Sequence, residues 1–305
     1  MGPYLTLMPH RRRVYNFVHG FKSRLTDILH FDADYYDPTE ATEEEASALM
    51  HSHHASEMDG LDIRLKALRL IPHFFAPPHP GTKVKDVDIE RFLLSMDQLT
   101  RMECRRQNAR KAGSWDTSWN ILWMEGAPTR LFHAFVDAHA KSFSTEPESA
   151  DGAPGFRGLQ SSWLGISTAA GLYLYGVLGF WNAGAPMKTR LLVQILAILM
   201  RDIDATWTDG QTNAHVSESE FWFWKVFSGA CAVWRTMDTM PAEERSDALE
   251  AKKARLVECV KHWSSVTGTM MWEGARAALM RIVWMPELDS DAMGRKIWDE
   301  CITDR

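Results

Sequence analysis

The sequence predicts an all-α protein: a single large multi-helix bundle of about eleven or twelve helices over residues 1–305. Three observations carry this. Apolar residues recur at helical spacing through most of the chain, no period-two run is flanked by hairpin turns, and the main interruptions are Pro- and Gly-rich segments between amphipathic stretches. At 305 residues the chain is long enough for one large core or two smaller ones.

The first helix is expected over 12–30, where Val14, Phe17, Val18, Phe21, Leu25, Ile28 and Leu29 form one apolar stripe. Residues 31–40, rich in Asp, Tyr and Pro, interrupt it. Thr42 and Glu45 then have the spacing of a capping box and start the next helix. A third helix runs over 61–74 and stops where Pro77, Pro78 and Pro80 remove donors that a helix interior needs. Residues 86–111 read as a long amphipathic helix with Ile89, Phe92, Leu93, Met96, Leu99, Met102 and Glu103 along its seam. Two more helices are expected over 115–142, divided at Gly126-Ala127-Pro128. The polar, Gly/Pro-rich stretch 144–155 is an exposed loop and the best boundary, which would divide the chain into 1–143 and 156–305. Beyond it, 159–181, 188–204, 217–237, 243–263, 272–283 and 294–302 all suit helices.

Composition excludes several classes. Hydrophobic residues at 45% and charged residues at 24% match ordinary globular chains and argue against disorder or a fibre. A net charge of -6 and a pI near 6.1 argue against direct nucleic-acid contact, which rests on clustered Lys and Arg. The one basic run, His10-Arg11-Arg12-Arg13, reads as the solvated edge of a helix start, and the set Arg101, Arg105, Arg106, Arg110 and Lys111 as a solvated face. The most apolar stretch, 167–181, is too short for a membrane helix and holds three glycines. The N-terminus lacks an apolar segment followed by a small-residue cleavage site, so an intracellular protein of nucleus or cytoplasm is expected. Cys104, Cys231, Cys259 and Cys301 lie far apart without ligand spacing, so reduced, unpaired thiols are expected, with Cys231 and Cys259 in the core.

Ten of the thirteen tryptophans fall beyond residue 160. The run ESEFWFWKVFSGACAVW at 218–234 places an acid before an aromatic helix with small residues in its middle. Then MMWEGARAALMRIVWMPELDSDAMGRKIWDEC at 270–301 gives Trp272-Glu273 opening a helix, a Leu279 to Trp284 segment, an acidic loop, Gly294 and a final Ile297-Trp298. An apolar helix with tyrosines, Gly171-Leu172-Tyr173-Leu174-Tyr175, lies upstream. Over about residues 160–302 this succession resembles the fungal-specific transcription factor regulatory domain, which usually follows a zinc binuclear cluster. The six-cysteine cluster and its basic flank are absent from this sequence. The resemblance implies a helical regulatory domain without DNA contacts of its own.

The residues themselves leave two functions open. One is a module that binds a partner protein or a small apolar effector, with a homodimer among its assemblies. The other is an enzyme of secondary metabolism, a cyclase or isomerase, that orients an apolar substrate in an aromatic pocket. Tyr173, Tyr175, Trp181, Trp222 and Trp224 are the pocket candidates; Trp222 and Trp224, two residues apart on a helix, must point to different sides. Under the enzyme reading His51, His53, His54 and Glu57, from the stretch LMHSHHASEMDG, are the acid/base candidates. His53 and Glu57 are i, i+4 neighbours, but successive His53 and His54 diverge by about 100°. This helix therefore offers at most two ligands to one ion, and neither a metal nor a cofactor is expected. Asp202, Asp204 and Asp209, with Asn213, Ser217 and Glu220, form a weak and misphased version of a terpene-cyclase metal motif. GxSxG, GxxxxGK and GxGxxG are lacking. The cheap discriminant is whether the aromatics wall a cavity holding a titratable group, or fill the interior while apolar side chains stand on the surface.

Overall fold

The computed structural model describes residues 86–113, 130–131, 134, 138, 160–179, 189–206, 216–241, 243 and 245–303. The helices expected before residue 86 and the boundary loop at 144–155 lie outside these residues. The described residues are predominantly helical. In chain order the elements are β1 (Asp86–Asp88), α1 (Glu90–Lys111), β2 (Gln160–Ser162), α2 (Trp163–Gly176), α3 (Thr189–Thr206), α4 (Val216–Thr239), α5 (Asp247–Thr267), α6 (Trp272–Ile282) and α7 (Ser290–Thr303).

The sequence reading places no strand here, and two short ones are present. β1 and β2 pair antiparallel, with Asp86 opposite Ser162, Val87 opposite Ser161 and Asp88 opposite Gln160. Three residues per strand are too few to display a period of two, and the partners are distant in sequence, so the pairing leaves no local signal. The ladder also delays α1: the Asp88 carboxylate accepts from the Glu90 backbone N–H at 3.0 Å, and the helix starts there. Along α1 every expected seam residue from Ile89 through Glu103 is buried.

α4 is the hub. It touches α2, α3, α5, α6 and α7, and its contact with α2 is the most extensive. All residues from 220 to 234 are buried, as are all from 165 through the end of α2 to 178. A helix that is apolar on all sides has to be surrounded on all sides. The two central helices come close enough for backbone to meet backbone: a Cβ at Gly176 would lie 2.5 Å from the Ala232 nitrogen and 2.8 Å from its Cα. Since neither obstacle is a side chain that can rotate away, Gly176→Ala is expected to destabilise the fold by about 1–3 kcal/mol, measured by urea unfolding.

Two further helix starts, those of α5 and α7, also differ from the sequence reading. α5 begins at Asp247 because the Ser246 side chain caps it, accepting from the Leu249 N–H at 3.3 Å. α7 begins at Ser290, four residues before the expected start at Gly294, so Gly294 sits inside the helix. A Cβ there would come within 2.9 Å of Trp272 Cη2 and 3.1 Å of Trp284 Cζ2, so the glycine makes room for two indoles.

Candidate functional site

The sequence-derived pocket residues that the structure describes are interior. Tyr173 and Trp224 are brought together, with ring centroids 5.4 Å apart, and Trp284 meets Tyr173 edge-on at 6.5 Å. The Tyr173 hydroxyl lies 3.1 Å from Thr100 Oγ1. Thr100 has one proton and gives it to the Met96 carbonyl at 2.8 Å, so the tyrosine is the donor. By the same logic Tyr175 donates to Thr236, 2.7 Å away, whose own proton goes to the Ala232 carbonyl at 2.9 Å. Burial raises the Tyr173 pKa far above the usual phenol value, so its hydroxyl stays protonated.

Trp222 and Trp224 diverge as their spacing requires. Trp222 donates its indole N–H to the Ile203 carbonyl of α3 at 3.2 Å, while Trp224 donates to the Val283 carbonyl just past α6 at 3.0 Å. Around Trp224 the rings form a network of stacked and edge-on contacts. Phe221 lies parallel to Trp224, Phe223 stacks on Trp263 at 3.9 Å, and Phe227 bridges Trp272 and Trp284. Trp181, His51, His53, His54 and Glu57 lie outside the described residues.

One polar centre escaped the sequence reading. Lys225, 2% exposed, donates to the Asp202 carboxylate at 2.6 Å, and Asp202 is 5% exposed at its side chain. The other carboxylate oxygen of Asp202 accepts from the Ser162 hydroxyl. Ser162 ends β2 and caps α2, its oxygen accepting from the Gly165 N–H at 3.0 Å. The Asp202 carboxylate lies directly against Gly165, where any Cβ would collide with it. The first turn of α2 has no acid of its own, so α3 supplies the negative charge that a helix N-terminus favours. Lys225 also sits 5.1 Å from the centroid of Phe221. The signal for this pair was available. Asp202 continues the stripe of Leu192, Ile195, Leu196 and Leu199, and Lys225 is the one cation inside the aromatic run at 221–234.

Asp204, two residues on, points away and pairs with Arg255 at the surface at 2.7 Å, so Asp202 and Asp204 do not converge on a metal. Among the described residues no group of three or more His, Cys, Asp or Glu side chains could hold an ion. The basic face of α1 is partly neutralised: Arg101 pairs with Asp97, Arg106 grips the buried Glu103 with two nitrogens at 2.6 Å, and Lys111 reaches Asp289. Gln107 ties the same cluster to the α6–α7 link by donating to Glu103 and accepting from the Asp289 N–H at 2.9 Å.

None of the four cysteines is in a disulfide, and all are buried. Burial pushes the Cys231 thiol up to about 12 and that of Cys259 up to about 11, and raises Cys104 as well. An unfolded thiol ionises near its ordinary 9.0, so the stability owed to a neutral Cys231 is full below that pH and is lost as pH rises toward about 12. At pH 8 these thiols are expected to resist a disulfide reagent in the native chain and to react once urea unfolds it. Rapid native labelling of Cys231 would refute this.

The surface carries large apolar side chains at the corner between α5 and α6: Val266 is 61% exposed, Met270 48% and Met271 67%. Met280 on α6 and Leu94 on α1 are also exposed. The corner backbone is anchored from below, since Trp298 donates to the Met270 carbonyl at 3.4 Å. Among the described residues no helix is long and apolar enough to cross a membrane. Compared with known proteins, the chain matches no family model, no curated protein and no solved structure.

Proposed function

We propose that the chain is a helical regulatory module that acts by binding a partner protein, on a scaffold resembling the regulatory domain of fungal transcription factors and without nucleic-acid contacts of its own. The observation that supports this reading is where the aromatics go. Tyr173, Tyr175, Trp222 and Trp224 are used up in ring stacking and internal hydrogen bonds, while Val266, Met270 and Met271 stand in solvent. A binding module fills its interior and leaves apolar side chains outside, and exposed methionines adapt to the shape of a partner.

The test joins the full chain to a heterologous DNA-binding module in a fungal host and reads a reporter gene. The fusion is expected to change reporter output. The Val266→Asp/Met271→Asp double variant is expected to abolish that change without lowering expression or the thermal midpoint. Native mass spectrometry of the unfused chain provides the opposite arm. A stoichiometrically retained apolar metabolite, together with its turnover and a silent reporter, would replace the module by an enzyme.

A further inference from the structure

We infer that the outer face of α6 is a self-association surface, on which two copies of the chain pack α6 antiparallel about a two-fold axis through Ala277. The inference goes beyond the regulatory reading and does not rest on it. It starts from how the helix divides its residues. Trp272, Ala275, Ala278, Leu279 and Ile282 are buried against the core. Glu273, Gly274, Ala277, Met280 and Arg281 make up the opposite side, all within about 60° of Ala277 around the helix. Ala277 is half-buried and the other four are exposed. Met280, at 48% exposed, is a large apolar side chain standing on this face, and Gly274, with no side chain, is a gap in it. Met271 lies about 120° round from Ala277, so the corner offered to a partner protein is a different surface.

The face is self-complementary. Its first turn carries Glu273 and its last turn Arg281. Ala277 lies midway between them in the sequence, and it lies midway between Gly274 and Met280 as well. A two-fold axis perpendicular to the helix at Ala277 therefore sets Glu273 of each copy opposite Arg281 of the other, and Met280 of each over the other's gap at Gly274. Parallel pairing would set acid against acid and base against base, so the charges select the antiparallel order. That order also places the positive end of each helix dipole beside the negative end of the other.

Both charges are available for this. No hydrogen bond or ion pair joins Glu273 to another described residue. Arg281 holds the buried Glu220 through Nε at 2.7 Å and Nη2 at 2.6 Å, and its side chain is still 57% exposed. Small residues at 274 and 277 let two helices approach to the short end of the usual spacing of about 8–10 Å. The helix has 11 residues and is about 16 Å long. Its face covers less than the roughly 800 Å² per partner of a standard interface, so the dimer is weak and concentration-dependent.

Sedimentation velocity on the full chain over a dilution series tests this. The parent is expected to pass from dimer to monomer on dilution, and sooner at high salt. Glu273→Arg, which sets like charges face to face at both ends, is expected to raise the dissociation constant at least about tenfold with the thermal midpoint little changed. Ala277→Cys tests the axis: the two Cα atoms there would lie about 5 Å apart, within disulfide reach, so mild oxidation is expected to link the copies. Met280→Cys is more exposed but lies about 9 Å from its symmetry mate along the helix axes, so it should stay unlinked. The chain's own cysteines are buried and should not compete. A parent that stays monomeric throughout overturns the inference, and labelling of the Met280→Cys thiol then shows why. Slow labelling means that another segment of this chain covers the face, and fast labelling that it is left for a different protein. A dimer that ignores Glu273→Arg, or that oxidation does not link in Ala277→Cys, uses another surface and overturns the inference equally. Should Ala277→Cys fail to fold, the Glu273→Arg comparison decides alone.

Discussion

Lys225→Met is expected to destabilise the folded chain by about 3–5 kcal/mol, because it strands the Asp202 carboxylate in the interior. Methionine matches the length of the lysine stem and continues the apolar character of α4, so the loss comes from electrostatics and not from a cavity. The Ser162 hydroxyl and the N-terminus of α2 still face the carboxylate and place the effect at the lower end of that range. Lys225→Arg is a different case: the guanidinium is larger and planar, and Lys225 is enclosed within a helix on which every residue from 220 to 234 is buried. Urea unfolding followed by tryptophan fluorescence measures the loss. A change below about 1 kcal/mol would mean that water reaches the pair and that its burial is illusory.

How far the architecture could be read in advance depends on how local its cause is. The seam of α1 was legible because one apolar stripe at helical spacing faces one core, and Ile89, Phe92, Leu93, Met96, Leu99 and Met102 are all buried. The enclosure of α2 and α4 was half legible. Their apolar residues run all the way round, which signals a helix without a wet face but does not say what surrounds it. The β1–β2 ladder was illegible, since Asp-Val-Asp and Gln-Ser-Ser form a sheet only because the tertiary fold lays them side by side. Gly294 was read as the start of the last helix, and its place inside that helix was not legible for a similar reason. Its role is set by Trp272 and Trp284, which approach it from elsewhere in the chain.

The site followed the same rule. That Trp222 and Trp224 part company is a matter of helical geometry and was read from spacing, whereas their partners, the carbonyls of Ile203 and Val283, were not. Grouping Asp202 with Asp204 followed the sequence, where they are neighbours. On a helix the two sit about 200° apart, and burial sorted them into a core ion and a surface ion. An acid on an apolar stripe and a lysine in an aromatic run are each anomalous alone. They explain each other once α3 and α4 are placed side by side.

Trp224→Ala is the second large effect, and it separates the two functional readings most directly. Trp224 is fully buried, stacks on Phe221 with rings 5.9 Å apart, leans on Tyr173, and holds the chain end of α6 through the Val283 carbonyl. Removing it opens a cavity between α2, α4 and α6 and is expected to cost about 3–5 kcal/mol of stability. Trp224→Phe keeps an aromatic ring against Phe221 but leaves the Val283 carbonyl without its donor, so a loss of about 1–3 kcal/mol is expected. The order Ala below Phe below the parent, read from thermal and urea unfolding, is what a core residue must give. A pocket wall behaves differently, because truncation there enlarges a space that already exists and the surrounding helices do not need the ring. If Trp224→Ala unfolds at the same urea concentration as the parent, Trp224 faces a cavity and the enzyme reading regains its pocket. If it unfolds well below, the aromatic run of α4 is the keel of the fold, and the enzyme reading loses Trp224 as a pocket wall.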